Sequence, residues 1–405
     1  MLKRISIIIL SAFFLLILLI YSDKLLGLLK GKSIEVNSAK ESIYRLPEFT
    51  IKVKLNSQGF RGEEYNRNKN KNTVRILVIG DSFSFGWGAD LEDSWTNILE
   101  RELNKFISGK KIEVINVSVA GNTPFDYPEL ARKYVPLYKP DFLIIGLVEG
   151  NDFSQLILKT NKENKTITEF AENKRREYLK LLENREYSEE LNISLERFLP
   201  NIYKFISKNK VVDVRKNFKK QMKEIITDFD DEDFRIMENN NSPEIRKIFM
   251  SGGINPPLFF WTVRVSDFYI KPLKTESKEY LEAKEKLTKI IKDIKKIAFE
   301  NQSQTIILDI PNGVYTSKFH LNNYRNLGFD TFDEMLTSTL PYSVSQNISN
   351  EEKIPFILNL DTLRNKCQNK CFWKYDDHLT PYGNKILTEK IIKYFRKEIS
   401  NKFTK

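Results

Sequence analysis

The chain has 405 residues, 41% of them apolar, which is enough for one large domain with insertions or for two domains of ordinary size. Lys and Arg number 65 against 54 Asp and Glu, so the formal net charge is +11. This balance favours an anionic lipid or polymer surface. No basic stripe with interleaved aromatic residues is present, and a nucleic acid is therefore excluded as the partner.

The first residues have the pattern of a membrane-targeting segment. Lys3 and Arg4 precede an apolar run over residues 5–21, and positive charge before such a run is typical of signal sequences. Neither a small-residue cleavage motif nor a lipobox cysteine follows, so the pattern favours retention of residues 1–31 as a transmembrane anchor. The mixed composition of residues 32–55 predicts a linker between this anchor and the body of the protein.

Apolar runs bounded by turn residues alternate with helical patterns in the rest of the chain. Short apolar runs of this kind are typical of buried parallel strands. Strands and helices in alternation predict a doubly wound parallel sheet, and we expect one such domain over residues 56–400. The predicted strands cover residues 74–79, 113–117, 141–148, 305–311 and 354–360.

The regular alternation stops near residue 154 and resumes near residue 274. Lys- and Glu-rich helical stretches fill this interval, so we predict a helical insertion over about 154–274. Its acidic cluster, residues 228–233, lacks the glycine and ligand spacing of an EF-hand loop, which favours a solvated face. The aromatic segment 256–261 has two interpretations. It either docks the insertion on the core, which we favour, or lines a substrate cleft.

Four polar turns follow the predicted strands, and the carboxyl ends of parallel strands meet at one edge of a sheet. Acyl transfer needs a nucleophile, a base that accepts its proton, and donors directed at the developing oxyanion. The four turns together offer one of each. They are Gly80-Asp81-Ser82, Ala120-Gly121-Asn122, Gly150-Asn151-Asp152 and Asp376-Asp377-His378.

Each of these turns has a candidate role. Ser82 is placed as a nucleophile between a strand and a helix, although a serine there also commonly serves as an N-cap. His378, one of two histidines in the chain, is the candidate general base. The backbone amides of Ser82 and Gly121 and the Asn151 side chain are candidate oxyanion donors. Asp81 is more typical of a carboxylate that braces a turn through backbone amides.

The remaining sulfur and imidazole groups do not indicate a metal site. Cys367 and Cys371 are the only cysteines, and no histidine stands beside them. An exported protein would allow a disulfide between them, and two free thiols are the alternative. The second histidine, His320, is interpreted as a surface residue.

Taken together, the four turns resemble the motifs of the SGNH, or GDSL-type, hydrolase superfamily, in the same order along the chain. The upstream segment 56–61 (Asn-Ser-Gln-Gly-Phe-Arg) is similar to the lead-in of bacterial membrane-anchored members. The resemblance covers about 56–152 and 276–400. It implies a flavodoxin-like three-layer α/β/α fold, no metal or other cofactor, and hydrolysis or transfer of carboxylic ester acyl groups, often on glycans.

Two positions depart from the pattern of this superfamily. Glu149 stands where the third motif usually has glycine, and Tyr375 stands where the last motif usually has aspartate. Similar bacterial members carry an acid two residues before the histidine. The resemblance therefore implies that Asp376 orients the imidazole of His378, with Asp377 in reserve, and a Ser-His dyad if neither carboxylate reaches the ring.

The sequence supports two functional hypotheses. The first is a membrane-anchored serine esterase or O-acyltransferase whose catalytic domain is periplasmic or extracellular and acts on an acylated glycan or another ester. The second is a non-catalytic protein of the same fold that binds or assembles envelope polysaccharide. The long charged insertion and the displaced aspartate favour this second hypothesis.

Overall fold

The computed structural model of the protein describes residues 40–158, 167–182 and 210–403. The strands of this part of the chain are β1 (Lys40–Arg45), β2 (Thr50–Leu55), β3 (Thr73–Ile79), β4 (Lys111–Asn116), β5 (Phe142–Val148), β6 (Lys210–Asp213), β7 (Gln304–Ile310) and β8 (Phe356–Ile357).

The central sheet has the strand order β4-β3-β5-β7-β8, and all of its neighbouring strands are parallel. Counted along the chain, this is the 2-1-3-4-5 order of flavodoxin-like sheets. The predicted parallel sheet is therefore confirmed. Its strand order also puts the ends of β3 and β5 side by side, which brings the turns that follow them together.

The helices begin and end at the following residues: α1 (Ser82–Phe85), α2 (Trp95–Phe106), α3 (Tyr127–Tyr138), α4 (Ser154–Ile157), α5 (Glu169–Leu182), α6 (Val214–Asp228), α7 (Asp231–Asn240), α8 (Pro243–Met250), α9 (Pro256–Arg264), α10 (Lys278–Glu300), α11 (Lys318–Leu327), α12 (Ser343–Glu352), α13 (Leu360–Lys366) and α14 (Pro381–Phe403). A π-helical turn, Glu149–Phe153, joins β5 to α4.

Helices cover both faces of the central sheet because its strands are apolar on both faces. Val74, Ile76 and Val78 of β3 share a buried cluster with α2, α13 and α14. Leu77 and Ile79 share the opposite cluster with α3, α10 and α12. Alternate residues of a strand point to opposite faces, so the domain has three layers with a helical layer on each side of the sheet.

The structure differs from the predicted linker at residues 40–55. β1 and β2 pair antiparallel, and β1 pairs on its other side, in parallel, with β6 from the insertion. Ile51 and Val53 of β2 are buried and pack in one cluster with Leu46 and Phe49. Burial of this apolar strip stabilises the folded segment, which we call the N-terminal hairpin (residues 40–55).

The predicted insertion contains α4 to α9 and β6 within its described parts. Its acidic cluster is not the solvated face that we expected, because Asp230 and Asp233 are buried. Their side chains accept hydrogen bonds from each other's backbone N–H groups at the start of α7, and Asp233 also pairs with Arg264 at 2.7 Å. Buried carboxylates are tolerated where helix amides and a guanidinium pair with them.

The aromatic segment 256–261 docks the insertion on the sheet domain, in agreement with the favoured interpretation. Phe259 of this segment is buried in one cluster with Tyr315 and Tyr324, which follow β7. Trp261 stacks on Phe268 with 4.3 Å between ring centroids. The insertion is therefore packed against the part of the chain that follows the fourth strand of the sheet.

The anchor expected over residues 1–31 lies outside the described residues, as do residues 32–39. None of the helices in the described ranges combines the length and the apolar character needed to cross a bilayer. The transmembrane anchor stays a prediction.

Candidate active site

Ser82 lies at the carboxyl end of β3, as the first residue of the short helix α1. The preceding residue, Asp81, is the N-cap, and its Oδ1 accepts a hydrogen bond from the Phe83 N–H at 2.9 Å. Asp81 thus braces the turn, as predicted. A Cβ at Gly80 would lie 2.4 Å from Ser84 Oγ, so this close approach of the strand end to the helix requires glycine. Ser82 itself is partly exposed at the sheet edge.

The structure brings Ser82, His378 and Asp376 into one hydrogen-bonded series. His378 Nε2 lies 2.7 Å from Ser82 Oγ, and His378 Nδ1 lies 2.6 Å from Asp376 Oδ1. In the tautomer with the proton on Nδ1, that N–H donates to the carboxylate and Nε2 accepts from the hydroxyl. The Phe83 ring packs on the imidazole at 4.7 Å between centroids. Both His378 and Asp376 are buried, at 8% and 5% exposure.

Residues 372–379 form the loop that carries the histidine, and we call them the His378 loop. Backbone hydrogen bonds join the two ends of this loop. The Trp373 N–H donates to the His378 carbonyl at 2.9 Å, and the Thr380 N–H donates to the Cys371 carbonyl at 2.8 Å. Cys371 also forms a disulfide with Cys367. The choice that the sequence left open, disulfide or free thiols, is thereby settled in favour of the disulfide.

Asp377, the reserve candidate, is bound elsewhere. Its Oδ2 accepts hydrogen bonds from Asn312 Nδ2 at 3.1 Å and from the Tyr269 hydroxyl at 3.4 Å. Burial raises the pKa of Asp377 to about 7. Its backbone has a φ of 76°, the left-handed region that Asp tolerates better than most residues. The structure therefore places Asp376, and not Asp377, in hydrogen-bond contact with the imidazole of His378.

Gly121 lies in the turn that follows β4. A backbone hydrogen bond joins this turn to the turn that carries Ser82. The Val119 N–H donates to the Gly80 carbonyl at 3.3 Å, and the Asn122 N–H closes the turn on the Val119 carbonyl at 3.2 Å. Gly121 is exposed, and its φ of 91° lies in the left-handed region. Since a Cβ at Gly121 would have no neighbour within 4 Å, backbone conformation, and not lack of space, is the reason for glycine.

Asn151 belongs to the π-helical turn after β5, and its side chain reaches the nucleophile turn. Its Nδ2 donates to Asp81 Oδ2 at 3.2 Å, while its Oδ1 accepts from Gln155 Nε2 at 2.8 Å. These two bonds fix the amide with its nitrogen directed toward the Ser82 turn. All four polar turns of the sequence analysis therefore lie at one edge of the sheet.

Three carboxylates influence the imidazole of His378. Burial by itself lowers the pKa of His378, but Asp376, and more weakly Asp377 and Asp81, raise it above its ordinary value. These carboxylates do not form a metal site. Within the described ranges, no group of three or more His, Cys, Asp or Glu side chains is arranged to hold a metal ion.

His320 is not the surface residue that we expected. It is 1% exposed and packs edge-on against Phe319 and Phe372, each at 5.2 Å between ring centroids. Burial lowers the pKa of His320 to about 4. The imidazole is held as a neutral aromatic ring beneath the His378 loop, to which Phe372 belongs.

Sequence reasoning missed two residues that contact Asp376. Trp87 Nε1 lies 3.4 Å from Asp376 Oδ2, and Glu48 accepts a hydrogen bond from the Asp376 backbone N–H at 3.0 Å. Trp87 lies five residues after Ser82, and its ring in turn packs edge-on against Tyr44 of β1 at 5.2 Å between centroids. Glu48 lies in the segment that was interpreted as a linker, so nothing in the sequence pointed to it.

A family model for GDSL-like lipase/acylhydrolases matches residues 76–391 of the chain. This range contains the whole central sheet after the first three residues of β3, and it includes Ser82, Gly121, Asn151, Asp376 and His378. The chain belongs to the GDSL-like lipase/acylhydrolase family, a class of ester hydrolases.

Similarities to solved structures were also found, whereas a search of curated protein sequences gave no match. A lipase/acylhydrolase from Enterococcus faecalis is 11% identical, with 80% of this chain and 96% of that chain covered and a TM-score of 0.38. The esterase EstA from Pseudoalteromonas sp. is 11% identical, with 82% and 100% covered and a TM-score of 0.34. Axe2, an acetylxylan esterase from Geobacillus stearothermophilus, is 13% identical, with 79% and 93% covered and a TM-score of 0.35.

Proposed function

We propose that the protein is a serine ester hydrolase that works through an acyl-enzyme. The observation that carries this proposal is the continuous series Asp376, His378 and Ser82, joined by contacts of 2.6 and 2.7 Å. These are the distances at which a base accepts a proton from a hydroxyl and a carboxylate orients the base. The displaced aspartate that favoured a non-catalytic protein is compensated, because Asp376 reaches the imidazole from its position two residues before His378.

In the proposed reaction each residue has one role. Ser82 Oγ bonds to the ester carbonyl carbon while its proton passes to His378 Nε2, and the carbonyl oxygen becomes an oxyanion. The Ser82 and Gly121 amides and the Asn151 side chain supply hydrogen bonds to that oxyanion. The carbon–oxygen ester bond then breaks, and His378 returns the proton to the departing alcohol. Water attacks the acyl-enzyme by the same steps and releases the carboxylic acid.

We propose an acylated glycan as the substrate. The Trp87 side chain is partly exposed beside Asp376, and Phe125, four residues after Gly121, is 58% exposed. Aromatic faces at a binding site offer apolar contact area together with a defined orientation. Such faces suit the C–H surfaces of sugar rings, and they support a glycan on which a small acyl group reaches Ser82.

We also propose that the catalytic domain is carried by a membrane anchor and lies outside the cytoplasm. The charged and apolar pattern of residues 1–31 supports an anchor. The disulfide between Cys367 and Cys371 supports export, because disulfides persist in oxidising compartments. The anchor would hold the domain at the membrane surface, where envelope glycans are assembled.

A serine-directed fluorophosphonate probe tests the proposed chemistry. We expect the probe to label the wild-type protein at Ser82, as located by peptide mapping, and we expect the protein to release acetate from an acetylated oligosaccharide. An added unacetylated oligosaccharide that becomes acetylated would identify a transferase, since water and a sugar hydroxyl compete for the same acyl-enzyme. A folded protein that is never labelled would contradict the proposal and favour the non-catalytic hypothesis.

The pH dependence of hydrolysis is expected to show an acidic limb with an apparent pKa above 6.5, the ordinary value for histidine. Ser82 can transfer its proton only to neutral imidazole, and the neighbouring carboxylates raise the pKa of His378. Activity is therefore fully present above this raised pKa and is lost as the pH falls through it. The measurement is kcat/KM for a neutral acetate ester from about pH 5 to about pH 9. An apparent pKa of about 6 or lower would contradict the arrangement.

A further inference from the structure

Glu48 joins the N-terminal hairpin to the His378 loop. It lies between β1 and β2, and its carboxylate accepts hydrogen bonds from three consecutive backbone N–H groups of that loop. The donors are Lys374 at 2.9 Å to Oε1, Tyr375 at 2.6 Å to Oε2 and Asp376 at 3.0 Å to Oε2. Hydrogen bonds to an ionised acceptor are stronger than those between neutral groups, so this single side chain fixes the path of the loop backbone up to Asp376.

Aromatic contacts hold the hairpin in place around this carboxylate. Phe49, the neighbour of Glu48, stacks on Trp373 of the His378 loop at 4.9 Å between ring centroids. Trp373 Nε1 in turn donates to the Gly88 carbonyl at 2.9 Å. On the other side, Tyr44 packs on Trp87. The hairpin therefore contacts both the loop that carries the histidine and the segment that follows the nucleophile.

The bonds from Glu48 lie next to the residue of the His378 loop that has the least favourable backbone conformation. Immediately after the three amides that Glu48 binds, Asp377 has a positive φ of 76°, a conformation that costs free energy for a residue with a side chain. This turn aims Asp376 Oδ1 back at His378 Nδ1, 2.6 Å away. Amide groups held by Glu48 on one side of the turn keep the carboxylate of Asp376 in reach of the ring.

We propose that Glu48 is a positioning residue that acts on the reaction through Asp376, so that the N-terminal hairpin is a working part of the active site. This inference rests on the proposed ester hydrolysis. Glu48 does not touch the imidazole or the nucleophile in this arrangement, and it holds the backbone that carries the carboxylate. Its contribution should therefore appear in the chemical step and not in substrate binding.

Kinetics of three variants test this role. Glu48→Ala is expected to lower kcat by about 10- to 100-fold with KM changed less than about 2-fold, because small displacements of catalytic groups cost rate. Glu48→Gln keeps one acceptor oxygen and should lie between wild type and Glu48→Ala. Glu64→Ala is the matched control. The Glu64 carboxylate also accepts from a backbone N–H, that of Ser57 at 2.5 Å, and it lies in the same part of the chain, so wild-type kcat is expected.

Histidine NMR gives a readout that does not depend on ester hydrolysis. The chain contains only two histidines, so the full-length protein has one ring Hε1 signal from His378 and one from His320. Loss of the Glu48 contacts weakens the bond between Asp376 and His378, and Glu48→Ala should lower the pKa of His378 relative to wild type. The buried His320 signal reports that the variant is folded.

The two readouts separate this inference from the proposed function. A wild-type protein without esterase activity, together with a lowered His378 pKa in Glu48→Ala, would overturn the function and retain the positioning role. Wild-type kcat and pKa in Glu48→Ala would overturn the positioning role alone. Equal effects of Glu48→Ala and Glu48→Gln on kcat and on the His378 pKa would also overturn it. They would indicate that only the negative charge matters, because Gln keeps an acceptor oxygen and loses only the charge. Loss of the His320 signal in Glu48→Ala would mean that this variant is unfolded. The test then uses Glu48→Gln, and a wild-type kcat and a wild-type His378 pKa in that variant would overturn the proposal.

Discussion

Replacing Ser82 by alanine is expected to lower kcat for hydrolysis of a short-chain ester by about 10⁴- to 10⁶-fold. The Ser82→Ala variant has no hydroxyl that can form the acyl-enzyme, while the proposed oxyanion donors Gly121 and Asn151 remain. KM should change little, because the removed hydroxyl acts in the transition state. The measurement is release of p-nitrophenol from its acetate ester by purified wild type and variant.

Ser84→Ala is the matched control for this experiment. Ser84 lies in the same short helix, is fully buried, and its hydroxyl points away from the solvent edge toward Gly80 and Gly146. We expect its kcat to stay within about 10-fold of wild type, since no step of the reaction uses it. A Ser82→Ala protein with activity similar to Ser84→Ala would exclude Ser82 as the nucleophile.

The substitution of Asp376 by asparagine is expected to have the second largest effect on kcat. Asp376→Asn should lower kcat by about 10³- to 10⁴-fold, because a neutral amide no longer stabilises the imidazolium or selects the tautomer with the proton on Nδ1 of His378. The lost carboxylate should also move the acidic limb of the pH profile to lower pH, since it raises the pKa of His378. The fall in kcat is measured at the pH of highest activity, and the acidic limb is measured from kcat/KM between about pH 5 and about pH 9.

Asp377→Asn makes the same chemical change one residue further on and serves as its control. Asn tolerates the left-handed conformation found at this position, and it can still bond to Asn312 and Tyr269. We expect kcat to fall by less than about 10-fold. A larger loss in Asp377→Asn than in Asp376→Asn would reverse the assignment of the orienting acid and would require a different conformation of the His378 loop.

The edge of the sheet where the site lies was predictable because the physical signals are local. Each strand of the central sheet is a short apolar run that ends in glycine or polar residues, and parallel strands present their carboxyl ends together. Ser82, Gly121 and Asn151 follow from that rule, and His378 follows from the scarcity of histidine. Spacing alone could not decide whether Asp376 or Asp377 contacts the imidazole of His378, because the answer depends on the backbone conformation of the loop.

The N-terminal hairpin was missed although a local signal was present. Residues 50–55 alternate strictly between polar and apolar side chains, which is the period of a strand with one buried face. This apolar face is stabilised only when the residues that it packs against are present. Two of them, Val214 and Phe218 of α6, lie about 160 residues later in the chain. A segment whose stabilising contacts are this distant in sequence resembles a linker when read alone.

The predictions that His320 and the acidic cluster are exposed were wrong for a related reason. His320 and the acidic residues 230–233 are polar, and polar residues are mostly exposed. In the structure, Phe372 and Phe319 enclose the ring, and helix amides with Arg264 satisfy the carboxylates. Phe372 and Arg264 come from other parts of the chain, so composition gave no indication of them.

The small sheet β2-β1-β6 has a consequence for biosynthesis. β1 and β2 leave the ribosome together, but the free edge of β1 has no strand to pair with until β6 has been made. At about 5 to 20 residues per second, translation of the intervening chain takes about 8 to 30 s. During that time an open strand edge is exposed to other nascent chains. The N-terminal hairpin, which contacts the His378 loop, therefore keeps one strand edge open to aggregation until β6 has been made.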